Sequence, residues 1–240
     1  MRLACALLVF LAACPAQGGD DYPVGPGGGV GGTGSNGLVD APPSDGDGDA
    51  SGTIVGRVCL LTDLRQVALC SDTDAGGLTV TLGTETATTG AQGDFEIVTP
   101  SGTNLVWRVS GLNVVSSVML FNPVVRIPVI GDELYGQLLT GNSVLLQDGQ
   151  GTLLAHLTHA GVAAVGATAT LNPATANATF YDGNNPLVWD TDATGTFGVT
   201  WLPGADVGQA TITSTLDASL ISATYPIENQ AITWAEIEIP

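Results

Sequence analysis

The chain has no lysine and only five arginines against 23 aspartates and glutamates, a formal net charge of −18 over 240 residues. A surface of that sign repels nucleic-acid phosphates and anionic lipid headgroups, so no nucleic-acid partner is expected. Without lysine there is neither a P-loop lysine to cradle a phosphate nor a Schiff base. His156 and His159 are the only two histidines, too few for most metal or triad sites. Gly-x-Ser-x-Gly is also missing. The nearest stretch, Thr33-Gly-Ser35-Asn-Gly37, has Thr where the first Gly belongs. Aromatic residues make up 5% of the chain, and past the first residues no apolar run approaches the roughly 20 that span a bilayer. These absences argue against an enzyme, and no cofactor or metal is expected.

What is present starts with Met1-Arg2, an apolar run from Leu3 to Leu11, and small residues before Cys14. Those are the parts of a secretory signal peptide. Leu11-Ala12-Ala13-Cys14 resembles the bacterial lipobox, which implies removal of residues 1–13 and acylation of Cys14. Membrane attachment would then rest on acyl chains, not on a basic patch. The alternative is an ordinary signal peptide cut near Ala16. Pro15 stands where enteric inner-membrane lipoproteins carry Asp, so the outer membrane is the expected address.

Residues 14–51 show no periodic apolar pattern and read as a lipidated, disordered tether rich in Gly, Pro and Asp. Such a Gly-rich coil spans roughly 33 Å root-mean-square. Within it, Asp45-Gly-Asp47-Gly-Asp49 matches the first ligands of a calcium loop, but Ala50 and Gly56 stand where the turn Gly and bidentate Glu belong. A solvated acidic spacer is the expected reading. Of the four cysteines, Cys5 leaves with the signal peptide and Cys14 goes to lipid, so Cys59 and Cys70 form an even pair in an exported chain. Such a pair reads as a disulfide.

From Gly52 the period changes to two. Leu78-Thr-Val80-Thr-Leu82, Phe95-Glu-Ile97, Leu105-Val-Trp107-Arg-Val109, Phe197-Gly-Val199-Thr-Trp201 and Ala210-Thr-Ile212-Thr-Ser214-Thr-Leu216 alternate. That is the signature of strands with one buried face. Turn clusters separate them at the spacing of an antiparallel sandwich. One short helix is expected from Asp132 to Leu139, with Asp132 as N-cap and Gly141 past its end. The strands repeat. Gly52-Thr-Ile-Val-Gly-Arg-Val58 aligns with Gly151-Thr-Leu-Leu-Ala-His-Leu157, the strand at Leu78 with that at Ala167, and Thr88–Phe95 with Asp190–Phe197. The expected fold is all-β: two tandem small antiparallel β-sandwich domains, residues 52–130 and 148–240, with a connector at 131–147 carrying the helix.

These motifs, with Trp201-Leu-Pro-Gly204 in the second copy, are similar to carboxypeptidase regulatory-like domains. The second copy is the better match; the first departs at the Cys59–Cys70 excursion and at Pro100-Ser-Gly102. The resemblance implies a transthyretin-like β-sandwich of the carbohydrate-binding-like group and no catalytic residues. An immunoglobulin-like bacterial adhesin domain is the near alternative.

Several residues could still carry a site. His156 and His159, three apart on a regular strand, should face opposite sides and not share a metal. Asp72, Asp74, Asp190 and Asp192 lie in Gly-containing turns, where Asp bonds its own backbone. Trp107, Trp201 and Trp234 lie in alternating strands and read as core. Tyr181 and Trp189 flank a loop and could stack on a sugar ring, which makes them the candidate ligand-binding pair; loop closure by aromatic packing explains them equally. The whole reads as a non-catalytic cell-envelope lipoprotein, a binding or structural β-sandwich module for which a glycan is one candidate ligand. The rival reading is an adhesin-like protein that grips a protein partner by sheet edges or loops.

Overall fold

The computed structural model describes residues 52–240 except 68, 70, 72–74 and 124. Cys14, Cys70, Asp72, Asp74 and the Asp45–Asp49 run lie outside the described residues. The period-two segments form strands. They are β1 (Thr53–Leu61), β2 (Thr79–Leu82), β3 (Glu85–Thr88), β4 (Asp94–Val98), β5 (Val106–Ser110), β6 (Ser116–Leu120) and β7 (Val125–Ile130). Helix α1 (Asp132–Gly141) follows. Then come β8 (Gln150–His159), β9 (Val162–Ala163), β10 (Thr168–Asn172), β11 (Phe180–Tyr181), β12 (Val199–Asp206), β13 (Gly208–Leu216), β14 (Ser219–Ile227) and β15 (Ala231–Ile239). Among the described residues no helix is long and apolar enough to cross a membrane.

Three sheets result, ordered β4-β1-β7, β10-β13-β14 and a nine-stranded sheet β11-β12-β8-β15-β6-β5-β2-β3 with β9 on β8. The hydrogen bonds show an internal repeat. Val58 N–H donates to Gly93 O at 2.9 Å, and Leu157 N–H donates to Gly198 O at 2.7 Å. Thr89 Oγ1 donates to Ala75 O and accepts from Leu78 N–H, while Thr194 Oγ1 donates to Ala164 O and accepts from Ala167 N–H. By these pairings β4-β1-β7 of the first half corresponds to β12-β8-β15 of the second, and β2-β5-β6 to β10-β13-β14. The nine-stranded sheet is therefore the second sheet of copy one joined edge to edge to the first sheet of copy two. The joint is a parallel pairing of β6 with β15, Ser116–Met119 alongside Ala231–Trp234. Residues 52–240 consequently form one compact unit, and the connector at 131–147 does not mark a break between separate sheets.

The alignment around the second turn differs from the sequence expectation by three residues. Gly93 matches Gly198, not Gly195, and both adopt positive φ (85° and 67°). A Cβ at either would fall 2.3 or 2.5 Å from the carbonyl oxygen of Val58 or Leu157, so the close approach of two backbones demands glycine. Phe95 sits within β4, whereas Phe197 precedes β12 and packs against a different core. Two further local expectations shift. Trp201-Leu-Pro-Gly204, which by the family resemblance would form a turn before a final strand, is part of β12, where the register slips between Pro203 and Ala205. Asp132 is the first helical residue, its Oδ1 accepting from Glu133 N–H, and Gly131 occupies the cap position.

Alternation decides which face each side chain takes. On one face of the large sheet Leu153, Ala155, Leu157, Leu202, Ile237 and Ile239 meet β10-β13-β14. On the other face Leu154, Val199, Trp201, Ile232 and Trp234 meet Tyr135 and Leu138 of α1 and the loop residue Leu64. Farther along that same face, Val80, Leu82, Trp107 and Val109 pack on Val58, Phe95, Ile97 and Ile127 of β4-β1-β7. β8 and β15 are thus covered on both sides, which is why β8 is buried almost without a break from Gln150 to Leu157 while β4, with one covered face, buries only Phe95 and Ile97.

Candidate functional site

The pair singled out as a sugar platform is buried. Tyr181 and Trp189 are each 4% exposed. Tyr181 lies in the core against β10-β13-β14, its hydroxyl accepting from Ala169 N–H at 2.9 Å and donating to Ala169 O at 3.2 Å. Trp189 lies in the core under α1, donating to Pro186 O at 3.1 Å with its ring edge-on to Trp201. The physical reason is register: Tyr181 pairs with Asp190, so Trp189, one residue earlier, turns to the other face. Neither ring offers solvent a face, and the two cannot act together.

His156 and His159 do part as the strand period requires. His156 Nδ1 lies 2.8 Å from Glu236 Oε2 across β8 and β15, and His159 Nδ1 lies 2.9 Å from Ile239 O. The Glu236 carboxylate, by its hydrogen bond and charge, holds His156 above its ordinary pKa although burial opposes this. Among the described residues no group of three His, Cys, Asp or Glu is placed to hold a metal ion. Asp190 is exposed and uses its backbone for the Tyr181 bridge.

The sequence reading passed over Asp182. It is 1% exposed, and its carboxylate accepts from Gly195 N–H (3.0 Å), Phe197 N–H (2.8 Å) and Val199 N–H (2.8 Å), which fixes the turn leading into β12. Beside it, Arg65 reaches from the first copy's loop to Gly183 O at 2.7 Å and lies 5.2 Å over the Phe197 ring. Burial alone would raise the carboxyl of its partner Asp63, but hydrogen bonds and charge from Arg65 hold it below the usual range. Arg65 therefore ties the two copies together.

A concavity lies where β6 stops and β15 continues. Its volume is about 470 Å³, and its walls include Phe121, Arg126, Leu154, His156, Trp234 and Glu236. Buried Cys59 and Tyr225 also line it, and the Tyr225 hydroxyl sits 3.5 Å from Glu236 O. This size suits a small ligand, with apolar walls and a few polar groups. A sequence cannot show such a site directly, because it forms from β1, β6, β7, β8, β14 and β15 only after the copies join. One clue was present: Arg126 is one of very few cations.

No protein-family model matches the chain, and no curated protein matches it. Among solved structures, GBS52, the minor pilin of the gram-positive pathogen Streptococcus agalactiae, aligns at 12% identity and TM-score 0.29, covering 78% of this chain and 94% of that one. The Bacillus anthracis TIE protein aligns at 9% identity and TM-score 0.27, covering 78% of this chain and 33% of that one. Both scores are too low to establish a shared overall arrangement.

Proposed function

We propose that the chain is a non-catalytic module displayed at the bacterial cell envelope, tethered through acylated Cys14, that binds a protein partner along a sheet edge. The observation that carries this is the repeat itself. By register, Ser116–Leu120 of β6 corresponds to residues 220–224 of β14. The outer edge of β6 carries β15 in parallel, while among the described residues β14 pairs with β13 alone. The second copy thus repeats a strand-accepting edge without an internal strand on it, with Leu220 60% exposed. Edges of this kind bind extended segments through backbone hydrogen bonds.

The carboxypeptidase regulatory-like resemblance supports the same reading, since that module is non-catalytic. Cys59, His156 and Glu236 line one pocket; in this reading Cys59 is disulfide-bonded to Cys70, so the pocket has no thiolate nucleophile. The burial of Tyr181 and Trp189 withdraws the support for a glycan ligand.

Two experiments test the proposal. Fractionation and intact mass of wild type and Cys14→Ala should show an acylated, membrane-bound protein and a soluble variant. A photo-crosslinker at Ser222 should capture a defined protein, and Leu220→Lys should abolish the adduct while a crosslinker at Thr86 on β3 gives none. Equal capture at both positions overturns the edge assignment, and an unacylated wild type overturns the anchor.

A further inference from the structure

The pocket at the junction holds a cation that pairs with none of the other described residues. Of the four arginines among the described residues, Arg57 pairs with Asp94 at 3.0 Å, Arg65 with Asp63 at 2.7 Å and Arg108 with Glu228 at 2.7 Å. Arg126 is exposed on β7 and has no ion-pair or hydrogen-bond partner among the described residues. In a chain with 23 acidic residues, an arginine left unpaired at a pocket mouth is the exception. The acidic group in the lining, Glu236, is already held by His156 at 2.8 Å. The wall around these charges is hydrocarbon and aromatic: Met119, Leu120, Phe121, Pro128, Leu154 and Trp234.

We infer that this pocket binds a small organic anion, a carboxylate carried on an aromatic or aliphatic body. The carboxylate takes the two-pronged hydrogen bond of the Arg126 guanidinium, and the apolar body lies against Trp234, Phe121 and Leu154. The 470 Å³ volume fits a molecule of that class. The charge and the walls divide the work: the guanidinium selects for the anion, and the apolar walls supply the burial. The inference does not rest on any partner at residues 220–224 of the β14 edge, since β14 gives the pocket only Tyr225.

The test uses 2-naphthoate and its uncharged analogue 2-naphthalenemethanol, titrated into the whole protein and followed by amide and indole NMR shifts. Naphthoate should bind saturably and shift the Trp234 Nε1–H and Arg126 Nε–H resonances. Arg126→Gln should weaken it by about tenfold or more, the effect of losing a charge-assisted hydrogen bond. That variant should fold, because the Arg126 side chain is exposed and forms no ion pair or hydrogen bond among the described residues. Naphthalenemethanol should bind wild type and Arg126→Gln equally and weakly. Leu120→Glu, which puts a carboxylate in the wall, should lower naphthoate affinity as well. No saturable naphthoate binding, shifts confined to other residues, or an affinity unchanged in Arg126→Gln overturns the inference.

Discussion

Thr89 and Thr194 occupy the same place in the two copies: each hydroxyl donates to one backbone carbonyl and accepts from one backbone N–H, and the backbone N–H and C=O of each bond back to the same two positions. Both are buried, at 5% and 3% exposure. Replacing either with valine keeps the shape and strands a buried donor and acceptor. Each substitution should cost about 2 kcal/mol, lowering Tm by roughly 4–8 °C for a unit of this size. Serine should restore most of the loss. Calorimetry of the four single variants checks this, and a neutral valine at one site would show that the two turns are not equivalent.

How much of this was legible in the sequence depends on distance along the chain. The strands around Leu78, Phe95, Trp107 and Ile212 were readable because a covered face imposes a two-residue period. The pairing of Val58 with Leu157 as repeat partners was readable from residues 52–58 and 151–157, where apolar and small residues recur in step. The turn register was not. Gly-x-Phe occurs in both turns, but the glycine that meets the preceding strand is Gly198, and only its approach to Leu157 O distinguishes it from Gly195. The junction was hidden for a related reason. Ser117 gives no apolar signal in β6, yet its hydroxyl accepts from Trp234 Nε1 at 3.1 Å across 117 residues. Tyr181 and Trp189 misled because a loop aromatic and a core aromatic look alike until the Asp190 pairing assigns their faces.

Asp182 is expected to be the most sensitive polar residue of the second copy. Its two oxygens accept three backbone N–H groups. Asparagine keeps one acceptor oxygen and points its NH₂ at a donor, so Asp182→Asn should cost about 3 kcal/mol. Amide exchange should accelerate first at Gly195, Phe197 and Val199. Protection unchanged at those amides would mean the turn is held by something else.

The His156–Glu236 pair sets a pH dependence of definite sign. The folded pKa of His156 is raised, so the pair stabilises fully below the unfolded value and the contribution fades as pH rises through the folded one. Glu236 is largely exposed, which keeps the effect within about 1 kcal/mol. Wild type should therefore exceed Glu236→Gln in Tm at pH 5.5 and match it at pH 8.5. A larger gap at pH 8.5 would contradict the assignment.

The proposed Cys59–Cys70 bond is checked by counting thiols. Mature protein unfolded without reductant should show no free thiol, and reduction should release two. Closing a loop of about a dozen residues contributes on the order of 3 kcal/mol, so reduction should lower Tm markedly. Free thiols before reduction would leave Cys59 unbonded beside His156 and would reopen the question of thiol chemistry in the pocket.

The last expectation concerns whether the copies melt together. Trp234 belongs to β15, the second copy's edge strand, yet it packs under α1, donates to Ser117 in β6 and lies in register with Met119. Removing it takes away shared core from both copies at once. Wild type should unfold in one transition, and Trp234→Ala, at a cost of about 3–5 kcal/mol, should either lower that transition or split it in two. Phe95→Ala, confined to the core of copy one, separates the cases: if the copies are coupled through β6 and β15, it lowers the melting of β13 and β14 as well. If those strands keep their wild-type midpoint, the shared sheet transmits little stability, and the two copies behave as independent folding units despite their continuous hydrogen bonding.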